Sequence, residues 1–189
     1  MSPAGPDRPH FSVFIATSID GFIARPDGGL DWLPQPDEVE PGEDYGYDAF
    51  MASVDVLVMG RGTFDFVRTV EPWPYGKPVV VLSSRPLDLP SRLDGKVEAM
   101  AGSPQEIVQT LVARGAQHLY IDGGKTIQSF LAAGLIDELT LFRMPVLIGD
   151  GIPLFGPLPH DIHLRHLSTR TFTTGVVEDR YAVVRAGTA

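Results

Sequence analysis

Gln117-His118-Leu119-Tyr120-Ile121-Asp122-Gly123-Gly124-Lys125-Thr126-Ile127-Gln128-Ser129-Phe130 reads as a strand, a glycine pair and a helix. The apolar run over 118–121 suits a buried strand, and over 126–133 Ile127, Phe130 and Leu131 share one helical face. Gly123 and Gly124 fall at the turn. Two residues without Cβ at the carboxyl end of a strand let a ligand approach the backbone. The free N–H groups and positive dipole end of the following helix favour an anion, with phosphate the natural guest. A turn that needs positive φ and binds nothing is the other reading. GGKT is not a P-loop, because the glycine which that motif requires ahead of its Gly-Lys pair falls here on Leu119, inside the strand.

Working outward, 189 residues that are 43% hydrophobic and 21% charged fit one globular domain with a substantial core. Residues 1–10, rich in proline and polar groups, read as a flexible N-terminal tail without the apolar core of a signal peptide, leaving 11–189 as the domain. No apolar run reaches the ~20 residues of a membrane helix, which predicts a cytoplasmic protein. With no cysteine there is neither a disulfide nor a cysteine-ligated zinc site. A net charge of -9 argues against nucleic acid as the main partner, so an anionic cofactor must meet local arginines and lysines.

Residues 11–16 (FSVFIA) form a β-prone apolar run that predicts a central strand. It enters a long loop in which Asp20-Gly21 and Asp27-Gly28-Gly29 mark turns and Pro26, Pro34, Pro36 and Pro41 exclude a long helix. Ile19, Phe22, Ile23, Leu30, Trp32 and Leu33 are too apolar for a solvated linker and predict a loop folded over a pocket. Helical spacing follows over 45–53, a strand over 54–59, a short helix over 64–68, and strands over 78–82 and 97–100. Ser103, Pro104 and Glu106 predict a capped helix start, and Gly115 its stop. After the opening stretch come a strand over 138–146 and a closing hairpin, 163–173 and 176–184, joined at Thr174-Gly175. Strands alternating with helices up to residue 133, then a hairpin, imply an α/β fold with a mixed sheet and helices on its faces.

Three strand ends share one chemistry: Gly60-Arg61-Gly62-Thr63, Ser83-Ser84-Arg85 and Gly123-Gly124-Lys125-Thr126. Each combines small residues, a cation and hydroxyls where open α/β sheets bind ligands, and three together suit one long polyanion such as a dinucleotide. Ser84 and Arg85 suit a 2'-phosphate, which favours NADPH over NADH.

SIDGFIARPDGGLDWL, VLVMGRGTFD, KPVVVLSSRP, YIDGGKTIQSFLAAGLIDELTLFRMPVLIGDGIPLF and GVVEDRY, in that order, resemble the dihydrofolate-reductase-like family that includes the reductase C-terminal domain of riboflavin biosynthesis. The resemblance covers nearly all of 11–184 and implies a mixed, mostly parallel sheet flanked by helices, NADPH as cofactor, and a homodimer. By motif it places Gly60, Arg61 and Thr63 along the cofactor phosphates and Ser83, Ser84 and Arg85 at the adenosine end. Gly123, Gly124 and Thr126 would clasp the pyrophosphate, Ala16 and Thr17 would border the nicotinamide, and Asp20 and Trp32 would belong to the loop over the site. Two departures concern the substrate. The zinc deaminase partner is missing, and the residue four after Thr63 is Val67, where the riboflavin reductases are similar in having Asp. Asp44 and Asp48 occupy roughly the region of the pterin-pairing carboxylate of dihydrofolate reductases.

Hydride transfer to a C=N or C=O group needs a proton source, and a carboxyl in a partly apolar pocket supplies one. Asp20, Asp44 and Asp48 are the candidate acids. The alternatives are an Asp-Gly turn for Asp20 and solvated helix-end charges for the other two. Trp32 and Phe50 are candidate substrate contacts. His160, His163 and His166 recur every third residue, which places 163 and 166 on opposite sides of a strand and implies no metal site. The chain is therefore expected to be an NADPH-dependent reductase of a small heterocyclic (pterin- or pyrimidine-like) or carbonyl substrate. The competing reading is a non-catalytic nucleotide-binding or dimerisation module of the same fold.

Overall fold

Apolar residues alternate across both faces of the central strands, and this two-sided burial organises the chain. The computed structural model describes residues 8–35 and 37–185, so most of the expected 1–10 tail lies outside the described residues. The strands are β1 (His10–Ser18), β2 (Phe22–Ala24), β3 (Val56–Gly60), β4 (Val79–Leu82), β5 (Val97–Met100), β6 (His118–Asp122), β7 (Glu138–Met144), β8 (Ile152–Pro153), β9 (Leu164–Thr171) and β10 (Val177–Val183). The helices are α1 (Tyr47–Ser53), α2 (Arg61–Val67), α3 (Pro104–Ala113) and α4 (Gly124–Ala132). Eight strands form one sheet in the order β5-β4-β3-β6-β1-β7-β10-β9, while β2 and β8 make a separate two-stranded sheet. Pairing is parallel from β5 through β7 and antiparallel at β10 and β9, the expected mixed sheet with its closing hairpin.

On one face Val13, Val58 and Ile121 pack with Ile107 and Leu111 of α3 and Ile127 and Phe130 of α4. On the other, Leu57, Met59, Val81 and Tyr120 pack with Met51 of α1 and Phe64 of α2. The period of two along β3 and β6 makes this division inevitable, since successive side chains leave opposite faces. Phe64 and Phe130 are fully buried, and truncating either to alanine costs about 3–5 kcal/mol. A third cluster, Phe142, Met144 and Val176, lies beneath Trp32, Leu33 and Tyr45. The predicted cap of α3 is present as a reciprocal box: the Ser103 N–H donates to Glu106 Oε2 at 2.7 Å and the Glu106 N–H to Ser103 Oγ at 3.4 Å.

Three local differences from the sequence reading bear on the site. β1 continues to Ser18, two residues past the expected end, because β7 pairs with it through Ser18 and Met144. α2 and α4 begin at Arg61 and Gly124 rather than 64 and 126, so the residues read as turns already belong to helices. Strands β2 and β8 are too short to show periodicity, and they form because the loop after β1 and the loop after β7 meet.

Candidate functional site

Each of the carboxyl ends of β1, β3, β4 and β6 contributes to a single cavity of about 730 Å³, a volume suited to a substantial small-molecule ligand. One part is polar and glycine-rich. Gly60 and Arg61 follow β3, Thr63 stands in the first turn of α2, and Gly123, Gly124, Lys125 and Thr126 lead into α4. The glycines are required by contact as well as by turn geometry. A Cβ on Gly123, whose φ is +86°, would collide with Thr63 Oγ1, and one on Gly60 would come within 2.9 Å of Thr126 Oγ1. The backbone at this crossing is therefore bare towards the cavity, beside the hydroxyls of Thr63 and Thr126 and the N-terminus of α4. Gly123 makes the positive-φ turn, and both glycines line the cavity.

Arg61 links this crossing to the end of β4. Its Nη1 donates to the Pro86 carbonyl at 3.2 Å and to Ser83 Oγ at 3.4 Å, while Nε reaches Asp65 at 3.2 Å. Ser83 Oγ in turn donates to the Arg85 carbonyl at 2.7 Å, which shapes the turn bearing Ser84 and Arg85. Leu82 lines the cavity, whereas Ser83, Ser84 and Arg85 lie beyond it on the exposed loop reached through Arg61.

Much of the remaining lining is apolar. Ile15 and Ala16 of β1, Ile23 and Ala24 of β2, Leu30 and Leu33 of the following loop, and Tyr75 form its walls. The lining also includes Asp122, the last residue of β6, which directly precedes Gly123 and is buried at 9% exposure. Its Oδ1 accepts the Gly123 N–H at 2.8 Å. Burial pushes its pKa up to about 6, with that one backbone hydrogen bond opposing the shift. Tyr47 is pushed up to about 12, and Tyr75 and Tyr120 are raised as well, by burial first and by the Asp122 charge second. All three phenols therefore keep their protons near neutral pH.

The structure does not bring the three expected acids into this cavity. Asp20 is exposed and ties two loops together, accepting the Ile148 N–H at 3.3 Å and the Gly149 N–H at 2.8 Å. The Ser18 hydroxyl and those two amides hold its pKa below the usual carboxylate value, the wrong direction for a proton donor. Asp44 accepts the Gly46 and Asp48 N–H groups, each at 2.8 Å, and those bonds lower its pKa. It acts at the start of α1, and Asp48 is an exposed residue of that helix's first turn.

Phe50 also lies elsewhere: it stacks on Phe14 at 4.6 Å and meets Tyr120 edge-on at 5.0 Å within the second core. Trp32 lines a separate cavity of about 440 Å³ with Met144, Pro145 and Thr174, and only its neighbour Leu33 borders both spaces. Thr17 is buried opposite Arg143 in β7, while Ala16 reaches the cavity wall. His166 Nε2 lies 2.8 Å from Thr169 Oγ1, and no group of three or more potential metal ligands occurs among the described residues.

Asp122 and Tyr75 escaped the sequence reading. Asp122 carries one local signal, a carboxylate that closes an apolar strand just before the glycine pair. Tyr75 carried none, since it reaches the cavity only through the path of the chain after α2.

Among solved structures, a protein described as a putative riboflavin biosynthesis protein from Shewanella sp. PV-4 superposes with a TM-score of 0.85 at 41% identity, covering 93% of this chain and 99% of that one. The uncharacterized protein YwjB of Bacillus subtilis (strain 168) is 34% identical over 167 residues, 87% of this chain and 92% of that protein. Dihydrofolate reductase from Enterococcus faecalis, complexed with NADP(H), shares the fold with a TM-score of 0.64 at 18% identity, over 92% of this chain and 96% of that one. No helix among the described residues is long and apolar enough to cross a membrane. Residues 9–178 match the RibD C-terminal domain family, and the chain belongs to that family.

Proposed function

We propose that this chain is an NADPH-dependent reductase of a small heterocyclic or carbonyl substrate. The observation that carries the reading is the continuity of the cavity, from bare backbone at the Gly60–Gly123 crossing to a buried carboxyl at Asp122. The residues present fit the cofactor. Thr63, Thr126 and the first amides of α4 would hold its phosphates, Arg61 would lie alongside them, and Ser84 and Arg85 would meet the adenosine end. Ala16 would border the nicotinamide. When bound, NADPH would supply two electrons as hydride. Asp122 would hold the matching proton: burial keeps its carboxyl partly protonated near pH 6, and it lines the same cavity. Ile15, Leu30, Leu33 and Tyr75 would exclude water and orient an acceptor C=O or C=N group.

Titration with NADPH while nicotinamide fluorescence is followed tests the reading. Saturable binding in the micromolar range, weaker for NADH, is expected. Absence of saturation would overturn it, and saturable binding without NADPH oxidation across quinone, pterin and pyrimidine panels would favour the non-catalytic nucleotide-binding module. A homodimer completes the proposal. β9 is an edge strand with all eight residues exposed, including Leu164 and Leu167, and offers an unpaired edge to a second copy. A monomer mass by light scattering at micromolar concentration would remove that part alone.

A further inference from the structure

The cavity wall that rests on the first turn of α4 is built from two distant parts of the chain. Residues 19–24, which include β2, and residues 147–156, which include β8, are tied together at three places. Asp20 accepts the Ile148 and Gly149 N–H groups, the Gly21 carbonyl accepts the Leu154 N–H at 3.0 Å, and β2 pairs with β8. Ile23, Ala24 and Ile152 of this ribbon line the cavity. The ribbon lies directly on Gly124, where α4 starts: a Cβ there would come within 2.9 Å of the Pro153 carbonyl oxygen and 3.2 Å of Ile23 Cδ1.

A pairing this short needs outside support, since β8 is two exposed residues long and an isolated two-stranded ribbon is marginal in water. Leu154 supplies part of it by burying its side chain in the first core. Among the described residues, Gln128 is the one side chain of α4 that hydrogen-bonds to the ribbon. Its Nε2 donates to the Pro153 carbonyl at 3.2 Å and to the Leu154 carbonyl at 3.1 Å. The amide is enclosed from a further side, because a Cβ on Gly156 would come within 2.7 Å of its Oε1. Gln128 does not line the cavity, so it acts on a ligand only through the wall that it holds. We propose that Gln128 is a positioning residue: by seating β8 on α4 it keeps Ile23 and Ile152 against the turn that would hold the cofactor phosphates, and so sets how fast the bound molecule leaves. The identity of that molecule as NADPH rests on the reductase reading.

The test follows NADPH association and release by stopped-flow nicotinamide fluorescence on the full chain, wild type beside Gln128→Met, which keeps the side-chain length and removes the donor. NADPH is expected to leave the variant about five-fold faster or more, with the association rate within about two-fold, because the groups facing the phosphates are untouched. Hydrogen exchange of the ligand-free variant is expected to show protection lost over 22–24 and 152–154 and kept over 118–122. Gln128→Ala repeats both readouts without a side chain to pack beside Gly156. A lower melting temperature with the wild-type dissociation rate would make Gln128 a structural tie only and overturn the inference, as would unchanged protection of the ribbon. Failure of the wild-type chain to saturate with NADPH would instead break the reductase reading, while exchange in the ligand-free chain still reads the hold of Gln128 on the ribbon.

Discussion

Strand β6 carries an ionisable group at each end, half-buried His118 and buried Asp122, and the two ends treat it in opposite ways. At the start, His118 is supplied with partners: its Nδ1–H donates to the Ser53 carbonyl at 3.0 Å, and Nε2 accepts the Ser12 hydroxyl at 2.6 Å. The backbone N–H of the same residue donates to Asp55 at 2.9 Å, and His10 packs edge-on against the ring at 4.9 Å. At the other end Asp122 has the Gly123 N–H and a cavity. Buried polar groups are normally satisfied by the protein. The His118 end follows that rule and holds β1, β6 and the end of α1 together. The Asp122 end leaves capacity in its carboxyl at a place a small molecule can reach, which is the basis for proposing it as the functional end.

Several experiments sharpen or break this contrast. The largest effect is expected from Asp122→Asn, which keeps the shape and removes the proton. NADPH oxidation should fall by about 100-fold or more, the usual scale for losing a general acid, while NADPH affinity stays within about three-fold. Steady-state kinetics beside a fluorescence titration separates the two. A variant that retains full turnover would make Asp122 a bystander.

Gly123→Ala comes next. The new Cβ would run into Thr63 at a residue whose φ is +86°, so both the backbone and the crossing of α2 with α4 must shift. A stability loss of about 1–3 kcal/mol is expected, accompanied by at least a ten-fold loss of NADPH affinity. Unchanged affinity in the folded variant would separate the glycine crossing from the cofactor.

The pH dependence of stability reads both ends at once. Asp122 has a folded pKa raised from 3.8 to about 6. Its protonated form is favoured by folding, so the associated stability is full below pH 3.8 and is lost as pH rises to about 6. The loss amounts to about 2–3 kcal/mol. His118 has a folded pKa lowered from 6.5, by burial first and by the His10 charge second. Its neutral form is favoured, so that stability is full above pH 6.5 and is lost as pH falls towards the folded value. Urea unfolding of the apo chain at pH 4.5 and pH 8 should show Asp122→Asn to be the more stable protein at pH 8, with a much smaller difference at pH 4.5.

Replacing His118→Ala should cost about 1–3 kcal/mol by stranding the Ser12 and Ser53 groups, with NADPH affinity unchanged. The smallest effect is expected from Arg85→Ala, about ten-fold in NADPH affinity with NADH unaffected, corresponding to the loss of one exposed phosphate contact.

The legibility of this molecule in its sequence follows the range of the interactions. Gly60, Arg61, Thr63, Gly123, Gly124 and Thr126 are legible as cavity-lining residues because small, cationic and hydroxyl residues at a strand end are a local feature of the sequence. The alternation along β3 and β6 was readable for the same reason. Asp20 was misleading, because its partners, Ile148 and Gly149, lie far along the chain and convert a candidate acid into a loop tie. Phe50 and Trp32 went to packing and to a neighbouring cavity through tertiary contacts that periodicity does not encode. Asp122 lies beside those glycines, but its burial follows from the place of β6 between β3 and β1, which local sequence does not encode.

Hydrogen exchange of the wild-type chain with and without saturating NADPH tests the central claim most directly, since it reads both ends of β6 in one protein. Protection is expected over residues 60–67 and 122–129 and in the loop over 23–33, with no change over 53–56 and 116–118. Protection confined to the His118 end, or none at the Asp122 end under conditions where fluorescence shows NADPH bound, would contradict the account.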